Sequence, residues 1–252
     1  MIISRTPFRM SFFGGGTDYP VWYREHGGTV LATSIDKFCY ISCRRLPPFF
    51  EHKSRIVYSR IESVNAPEEI QHPAVRECLR FMGVSEGLEI HHDGDLPART
   101  GLGSSSSFTV GLLHSLYALR QHMPSRMQLA RDAIKVEQDM IRETVGAQDQ
   151  VTAAVGGFNR IEFLPSGEIN VHPVILPSAR LEDLQARLML FFTGFSRHAS
   201  AIAQKQVEAT PAKTAELARM GGMVKTALEI LAAGDSSTEI ELFEINEAFA
   251  AQ

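Results

Sequence analysis

The stretch Pro97-Ala98-Arg99-Thr100-Gly101-Leu102-Gly103-Ser104-Ser105-Ser106-Ser107 decides how this chain is read. It is a glycine- and serine-rich loop that runs directly into an apolar helical pattern, Phe108, Val110, Leu112, Leu113, Leu116 and Tyr117. The first N–H groups of such a helix have no intrahelical acceptor, and its dipole favours negative charge at that end. Glycines let the backbone approach a ligand closely, and serine hydroxyls meet phosphate oxygens or a metal ion. The stretch therefore reads as a phosphate-binding loop. It lacks the Gly-Lys-Ser/Thr ending of the common P-loop, the Gly-x-Gly-x-x-Gly of dinucleotide folds and the Gly-x-Ser-x-Gly of a nucleophile elbow. A flexible linker is the competing reading, but linkers are not fused to an apolar helix.

Composition sets the frame for that loop. A chain of 252 residues, 44% hydrophobic and 21% charged, can bury a sizeable core in one large or two small domains. Its net charge of -4 and lack of a basic block argue against nucleic acid or an anionic membrane as partner. No apolar run reaches spanning length, and the first residues lack a signal-peptide layout. Cys39, Cys43 and Cys78 form no CxxC pair, which suggests a reducing compartment, so a cytoplasmic location is expected. His91-His92-Asp93 is the one dense run of metal-ligating types. Adjacent residues seldom converge on one ion, so it reads as an ordinary strand or turn.

Strands are expected over the first segment up to Phe12-Phe13, and at 29–34, 38–44, 56–61, 88–92, 158–163, 168–173 and 187–193. Helices are expected at 73–82, 108–121, 125–142 (with Ser125 as N-cap), 145–155, 199–208 and 212–233. A domain boundary fits best around 177–186, which divides the chain into 1–182 and 183–252.

Two further segments sharpen the reading. Arg9-Met10-Ser11-Phe12-Phe13-Gly14-Gly15-Gly16-Thr17-Asp18 is a strand that ends in three glycines and then presents Thr17 and Asp18. Such a turn can wrap a polyhydroxylated substrate, with Asp18 accepting hydroxyl hydrogen bonds. A hairpin with Asp18 as its turn residue is the alternative. Glu137 is followed by Gly146-Ala147-Gln148-Asp149-Gln150. One carboxylate can hold Mg²⁺ and the other can receive a proton from a hydroxyl nucleophile. Taken singly, each is also what a solvated helix face carries.

Together these segments resemble the GHMP kinases, the family of galactokinase, homoserine kinase, mevalonate kinase and phosphomevalonate kinase. Residues 97–105 match that family's Pro-x-x-x-Gly-Leu-Gly-Ser-Ser loop at every defining position. The likeness covers roughly residues 1–230. Within the family it is strongest to the bacterial heptose 7-phosphate kinases. The shared stretches are Phe-Gly-Gly-Gly-Thr-Asp at 13–18, Gly-Ala-Gln-Asp-Gln at 146–150, Gly-Gly-Phe-Asn at 156–159 and Phe-Thr-Gly-x-x-Arg at 192–197.

The resemblance implies an α+β, two-domain fold: a ribosomal protein S5 domain 2-like N-terminal domain and a ferredoxin-like C-terminal domain. It implies ATP and Mg²⁺ as cofactors and a small sugar, or sugar phosphate, as substrate. By the likeness, Pro97, Gly101, Leu102, Gly103, Ser104, Ser105 and Ser106 would cradle the ATP phosphates, and Ser105 and Glu137 would share the metal ion. Asp149 stands at the family's catalytic aspartate, with Arg9 as its cationic neighbour, able also to touch the transferring phosphoryl group. Gly15, Gly16, Thr17 and Asp18 match the sugar-binding segment. A substrate that already carries a phosphate needs its own cation, for which Arg197 is the first candidate and Arg99 the second. The expected reaction is phosphorylation of the anomeric hydroxyl of a heptose 7-phosphate, without nucleic acid or membrane, and with a homodimer left open.

The chain departs from that pattern at its C-terminal side. The family's third, glycine-rich motif has no counterpart, since Gly221-Gly222 falls inside a helical pattern. The second domain is accordingly expected to be partial. Residues 240–252 resemble the Asn-Glu-Ala-Phe-Ala segment of thiolases, although a short amphipathic helix reads the same way. Other readings remain beside the heptose kinase: a fucokinase- or galactokinase-like sugar 1-kinase, a non-catalytic nucleotide-binding remnant, and an RNA- or protein-binding module of the same fold.

Overall fold

The computed structural model describes residues 1–97, 100–191 and 199–233. Arg99, Arg197, the 192–197 stretch and the 240–252 tail lie outside the described residues. In chain order the elements are β1 (Ile2–Phe13), α1 (Pro20–His26), β2 (Gly28–Arg45), β3 (Ser54–Val57) and β4 (Ile61–Val64). Then follow a 3-10 turn (Pro67–Glu69), α2 (Pro73–Phe81), β5 (Leu88–Gly94), α3 (Ser104–Leu119), α4 (Arg126–Ile134), a π-helical segment (Lys135–Ile141) and α5 (Gln148–Val155). The rest comprises β6 (Phe158–Phe163), β7 (Ile169–Pro173), α6 (Ser178–Ala186), α7 (Ala199–Ala209), a second 3-10 turn (Thr210–Ala212) and α8 (Thr214–Ala233). The class is α+β.

Packing divides the chain into two units: 1–9 with 34–156, and 10–33 with 157–252. In the first unit the strands run in the order β4-β3-β5-β2, with β3 parallel to β5 and the other pairs antiparallel. Alternate residues of β2, Cys39, Ile41 and Cys43, turn inward with Ile56, Leu88 and Ile90. They meet Val75, Cys78 and Leu79 of α2 and Leu112, Leu113 and Leu116 of α3. Each fully buried leucine of this kind stabilises the fold by about 1.5–3 kcal/mol. Helix α3 is buried almost all round from Ser106 to Leu116, as befits a central helix. It lies hard against the strand that carries Arg9: a Cβ on Gly111 would stand 2.8 Å from Thr6 Oγ1, and Ser4 Oγ donates to Gly111 O at 2.8 Å. Only a glycine allows that approach, and it fixes where the N-terminus of α3 points.

In the second unit the first half of β2 pairs antiparallel with β6, from Gly28 opposite Phe163 to Thr33 opposite Phe158. Strands β6 and β7 form a hairpin whose turn closes with Gly167 N donating to Leu164 O at 2.9 Å. Leu31 packs with Val224, Leu228 and Leu231 of α8 and Leu184 of α6.

Several elements differ from the expected ones. The strands at 29–34 and 38–44 are one strand, because β2 changes partner from β6 to β5 along its length. The strand at 56–61 is a hairpin, closed by Tyr58 N donating to Arg60 O at 2.8 Å. The helix from 125 widens into a π-helical segment at Lys135, and the next one starts at Gln148 rather than 145. Helix α1, opened by Pro20 in its first turn, and helix α6 were not foreseen. No strand forms at 187–191. Leu188, Met189, Leu190 and Phe191 are exposed there, and an apolar run without a ladder partner does not become a strand.

Candidate active site

The phosphate loop is shaped by two glycines in the left-handed region, Gly101 (φ 80°) and Gly103 (φ 71°). Gly103 caps α3 without a side chain, and the first intrahelical bond runs from Ser107 N to Gly103 O at 2.9 Å. The amides ahead of it belong to the helix end, where an anion is favoured. Pro97 and Ser105 are exposed, Leu102 leans on the core, and Ser106 is buried. Thr100 Oγ1 is buried without a hydrogen-bond partner among the described residues.

Arg9, at the end of the first-unit part of β1, lies along this loop. Its backbone N–H donates to Leu102 O at 3.1 Å and its Nη1 to Gly101 O at 3.1 Å. Its other donors grip Asp149 with both arms, Nε to Oδ1 at 2.8 Å and Nη2 to Oδ2 at 2.7 Å. Asp149 stands in the first turn of α5, an end of the helix that favours a carboxylate. A Cβ on Gly103 would stand 3.0 Å from Arg9 Cγ and 3.5 Å from Asp149 Oδ2. Glycine at 103 is thus what lets loop, arginine and aspartate share one place. The arginine side chain is 6% exposed and the aspartate 25%, so Asp149 keeps an open side.

Glu137 lies in the π-helical segment, a wound-out geometry often found where a side chain must be re-aimed. It is fully enclosed, and burial pushes its carboxyl up to about 7, helped by the charge of Glu143. The donors Ser106 and Gln150 pull the other way, as does the nearby Thr109 hydroxyl, which itself donates to Ser105 O at 3.2 Å. Ser106 Oγ donates to Glu137 Oε2 at 2.8 Å, and Gln150 Nε2 makes a short contact to the same oxygen. Oε1 has no hydrogen-bond partner among the described residues. A buried bare carboxylate oxygen is costly unless a cation or donor meets it, so these residues fit a divalent ion. Among the described residues no cluster of three or more His, Cys, Asp or Glu gathers. Such a site suits Mg²⁺, which is commonly bound by one or two carboxylates plus substrate phosphates.

In the second unit, residues 14–18 form a tight buried turn. Thr17 N donates to Gly14 O at 3.1 Å, and Thr17 Oγ1 lies 2.8 Å from Gly14 O and 2.9 Å from Thr29 O. Gly15 and Gly16 are buried, and Gly16 N donates to Asp18 Oδ1 at 3.0 Å. The structure therefore brings Arg9, Gly101, Gly103 and Asp149 together, and Glu137 with Ser106. The hydroxyl on Glu137 is that of Ser106, while the neighbouring Ser105 faces solvent. Gln150, quoted above only as part of the stretch 146–150, gains a partner here in Glu137 that its sequence position does not announce. The available signal was an amide in a helix otherwise buried, since such a group needs a partner.

Comparison with known proteins follows the same line. Residues 70–157 match the family described as GHMP kinases N terminal domain. The chain is 27% identical over 216 residues to a D-glycero-alpha-D-manno-heptose 7-phosphate kinase of Campylobacter jejuni, covering 80% of this chain and 62% of that protein. It is 27% identical over 211 residues to a galactokinase of Thermococcus kodakarensis, covering 80% of this chain and 56% of the relative. It thus spans less than two thirds of the length of these relatives. In three dimensions it is similar to a crystal structure described as a D-glycero-D-manno-heptose 1-phosphate kinase from Bacteriodes thetaiotaomicron. The TM-score is 0.70 at 20% identity, covering 94% of this chain and 81% of the other. Residues 70–157 thus match the GHMP kinase N-terminal domain, in a chain whose fold is similar to that of solved heptose phosphate and mevalonate kinases.

Proposed function

We propose that the chain is an ATP-dependent sugar kinase acting on an anomeric hydroxyl, with D-glycero-D-manno-heptose 7-phosphate as substrate and the 1,7-bisphosphate as product. The observation that carries the reading is the two-armed Arg9–Asp149 pair, held against Gly101 and Gly103 at the N-terminus of α3. It sets a carboxylate with an open side beside a loop suited to phosphate. The likeness to the Campylobacter jejuni heptose kinase supports the choice of sugar.

In this account the loop amides at 101–106 bind the ATP phosphates through backbone donors. Asp149 orients the sugar hydroxyl and accepts its proton as the oxygen attacks the γ-phosphorus and the bond to ADP breaks. Arg9 holds Asp149 in place and offers positive charge to the transferring group. Glu137, with Ser105, would hold Mg²⁺, which when bound offsets charge on the ATP phosphates. Gly15, Gly16, Thr17 and Asp18 would take the sugar hydroxyls, and Arg197, with Arg99 as second choice, its 7-phosphate.

The test is ³¹P NMR of the product formed from Mg-ATP and a panel of sugars. The account expects a new anomeric phosphate resonance with heptose 7-phosphate. A signal only with unphosphorylated galactose or fucose would move the assignment to a galactokinase- or fucokinase-like enzyme, which the likeness to the Thermococcus kodakarensis galactokinase favours as second reading. Nucleotide binding without any sugar phosphate would leave a binding protein.

A further inference from the structure

We propose that Gln150 is a positioning residue: together with Ser106 it occupies one oxygen of Glu137 and leaves the other to face a divalent cation. The proposal deepens the kinase reading above and rests on it. Both donors converge on Oε2, while Oε1 has no hydrogen-bond partner among the described residues. All three side chains are buried, with Glu137 at 1%, Ser106 at 3% and Gln150 at 0% exposure. A carboxylate held by one donor can rotate and present either oxygen. Two donors on a single oxygen remove that freedom, as outer-shell partners do for metal ligands generally.

The geometry has its source in the order of residues. Asp149 and Gln150 are consecutive at the start of α5, so one helix end aims neighbouring side chains at different partners. Asp149 meets Arg9, and Gln150 meets Glu137. The two carboxylates of the site are thereby set by adjacent positions of one rigid element.

A purely structural glutamine is a poor explanation for this amide. Gln150 Oε1 is buried and has no hydrogen-bond partner among the described residues, so the side chain is only half satisfied. Burying an amide for one hydrogen bond is unfavourable compared with an apolar residue of the same size. The contact to Glu137 is what the position gains.

The test measures Mn²⁺ binding by electron paramagnetic resonance, using the 252-residue chain with saturating ADP, and ADP binding separately in EDTA. Gln150→Met keeps the volume and removes the donor. We expect Mn²⁺ affinity to fall about tenfold or more, with metal-free ADP affinity unchanged because the loop amides bind the phosphates. Ser106→Ala, which removes the other donor to the same oxygen, gives the same selective loss and carries the test if Gln150→Met does not fold. Wild-type Mn²⁺ affinity in a folded variant overturns the proposal. So does an equal loss of ADP binding with and without metal, which marks a merely structural role. If the wild-type chain binds no Mn²⁺ with ADP, the kinase reading fails and takes this proposal with it. Wild-type binding that neither variant alters removes this proposal alone.

Discussion

Arg9 and Asp149 stand 140 positions apart in the chain and meet through two parallel hydrogen bonds, at 2.8 and 2.7 Å. The guanidinium fork matches a carboxylate in one plane, so the pair fixes orientation as well as proximity. Its place beside Gly103 ties strand β1, the phosphate loop and α5 into one site.

Asp149→Asn is expected to lower turnover roughly 10²- to 10⁴-fold, the usual worth of a positioned proton acceptor. Nucleotide affinity should change little, because Asp149 does not bind the phosphates in this account. Arg9→Met should also lower the melting temperature. Its cost lies at the low end of the roughly 3–5 kcal/mol typical of breaking a buried pair, since Asp149 keeps 25% exposure. Steady-state kinetics with thermal melts separate the two effects.

Gly103→Ala meets two obstacles, a left-handed φ of 71° and a Cβ only 3.0 Å from Arg9 Cγ. The backbone part alone costs about 1–2 kcal/mol. Gly83→Ala supplies the comparison, with φ 58° and nothing within 4 Å of its Cβ. Both variants should melt lower, but only Gly103→Ala should lose nucleotide affinity, which calorimetric titration measures.

Much of the fold was legible because periodicity reports burial directly. The apolar run after Ser107 announces α3, and the turn residues Pro165-Ser166-Gly167 announce the β6–β7 hairpin. Long-range events were not. Nothing local tells β2 to change partner near residue 34, and nothing local denies Leu188 to Phe191 a neighbouring strand. In the site, the loop glycines speak for themselves, since only they adopt positive φ cheaply. Arg9 and Asp149 were joined only by family resemblance, being far apart in sequence. The donors on Glu137 were hidden because a π-helical segment shifts side chains off the 3.6-residue register used to read helices. Whether the division at residue 182 marks independently folding domains is a separate proposal, which limited proteolysis tests.

His72 gives a pH dependence of stability. Burial is the main cause that lowers its pKa, with His92 adding and Glu62 opposing. Its ring stacks on Phe108 at 4.8 Å, and its Nδ1 accepts from Val75 N at 3.4 Å as the cap of α2. The unfolded chain then takes up the proton first, below about pH 6.5, so stability is full above that value and lost as pH falls. Between pH 7.5 and 5.5 His72 thus contributes an acid-destabilising slope to the melting temperature, opposed by Glu137, whose raised carboxyl takes up its proton first in the folded chain. His72→Asn, which keeps a capping acceptor, should flatten that slope; an unaltered slope would contradict the assignment.

The two serines should separate. Ser105 is exposed, so Ser105→Ala should leave the melting temperature unchanged whatever it does to turnover. Ser106 is buried on Glu137, and a hydrogen bond to a charged group is worth about 1.5–3 kcal/mol, so Ser106→Ala should melt several degrees lower. Differential scanning fluorimetry distinguishes them.

The central claim is tested most directly by coupled-assay ADP release from Mg-ATP. The 252-residue chain is offered D-glycero-D-manno-heptose 7-phosphate, unphosphorylated sugars or no sugar, with Asp149→Asn in parallel. The account predicts release that depends on the heptose phosphate and is lost in the variant. Release that ignores the sugar, or that persists undiminished in Asp149→Asn, would contradict it.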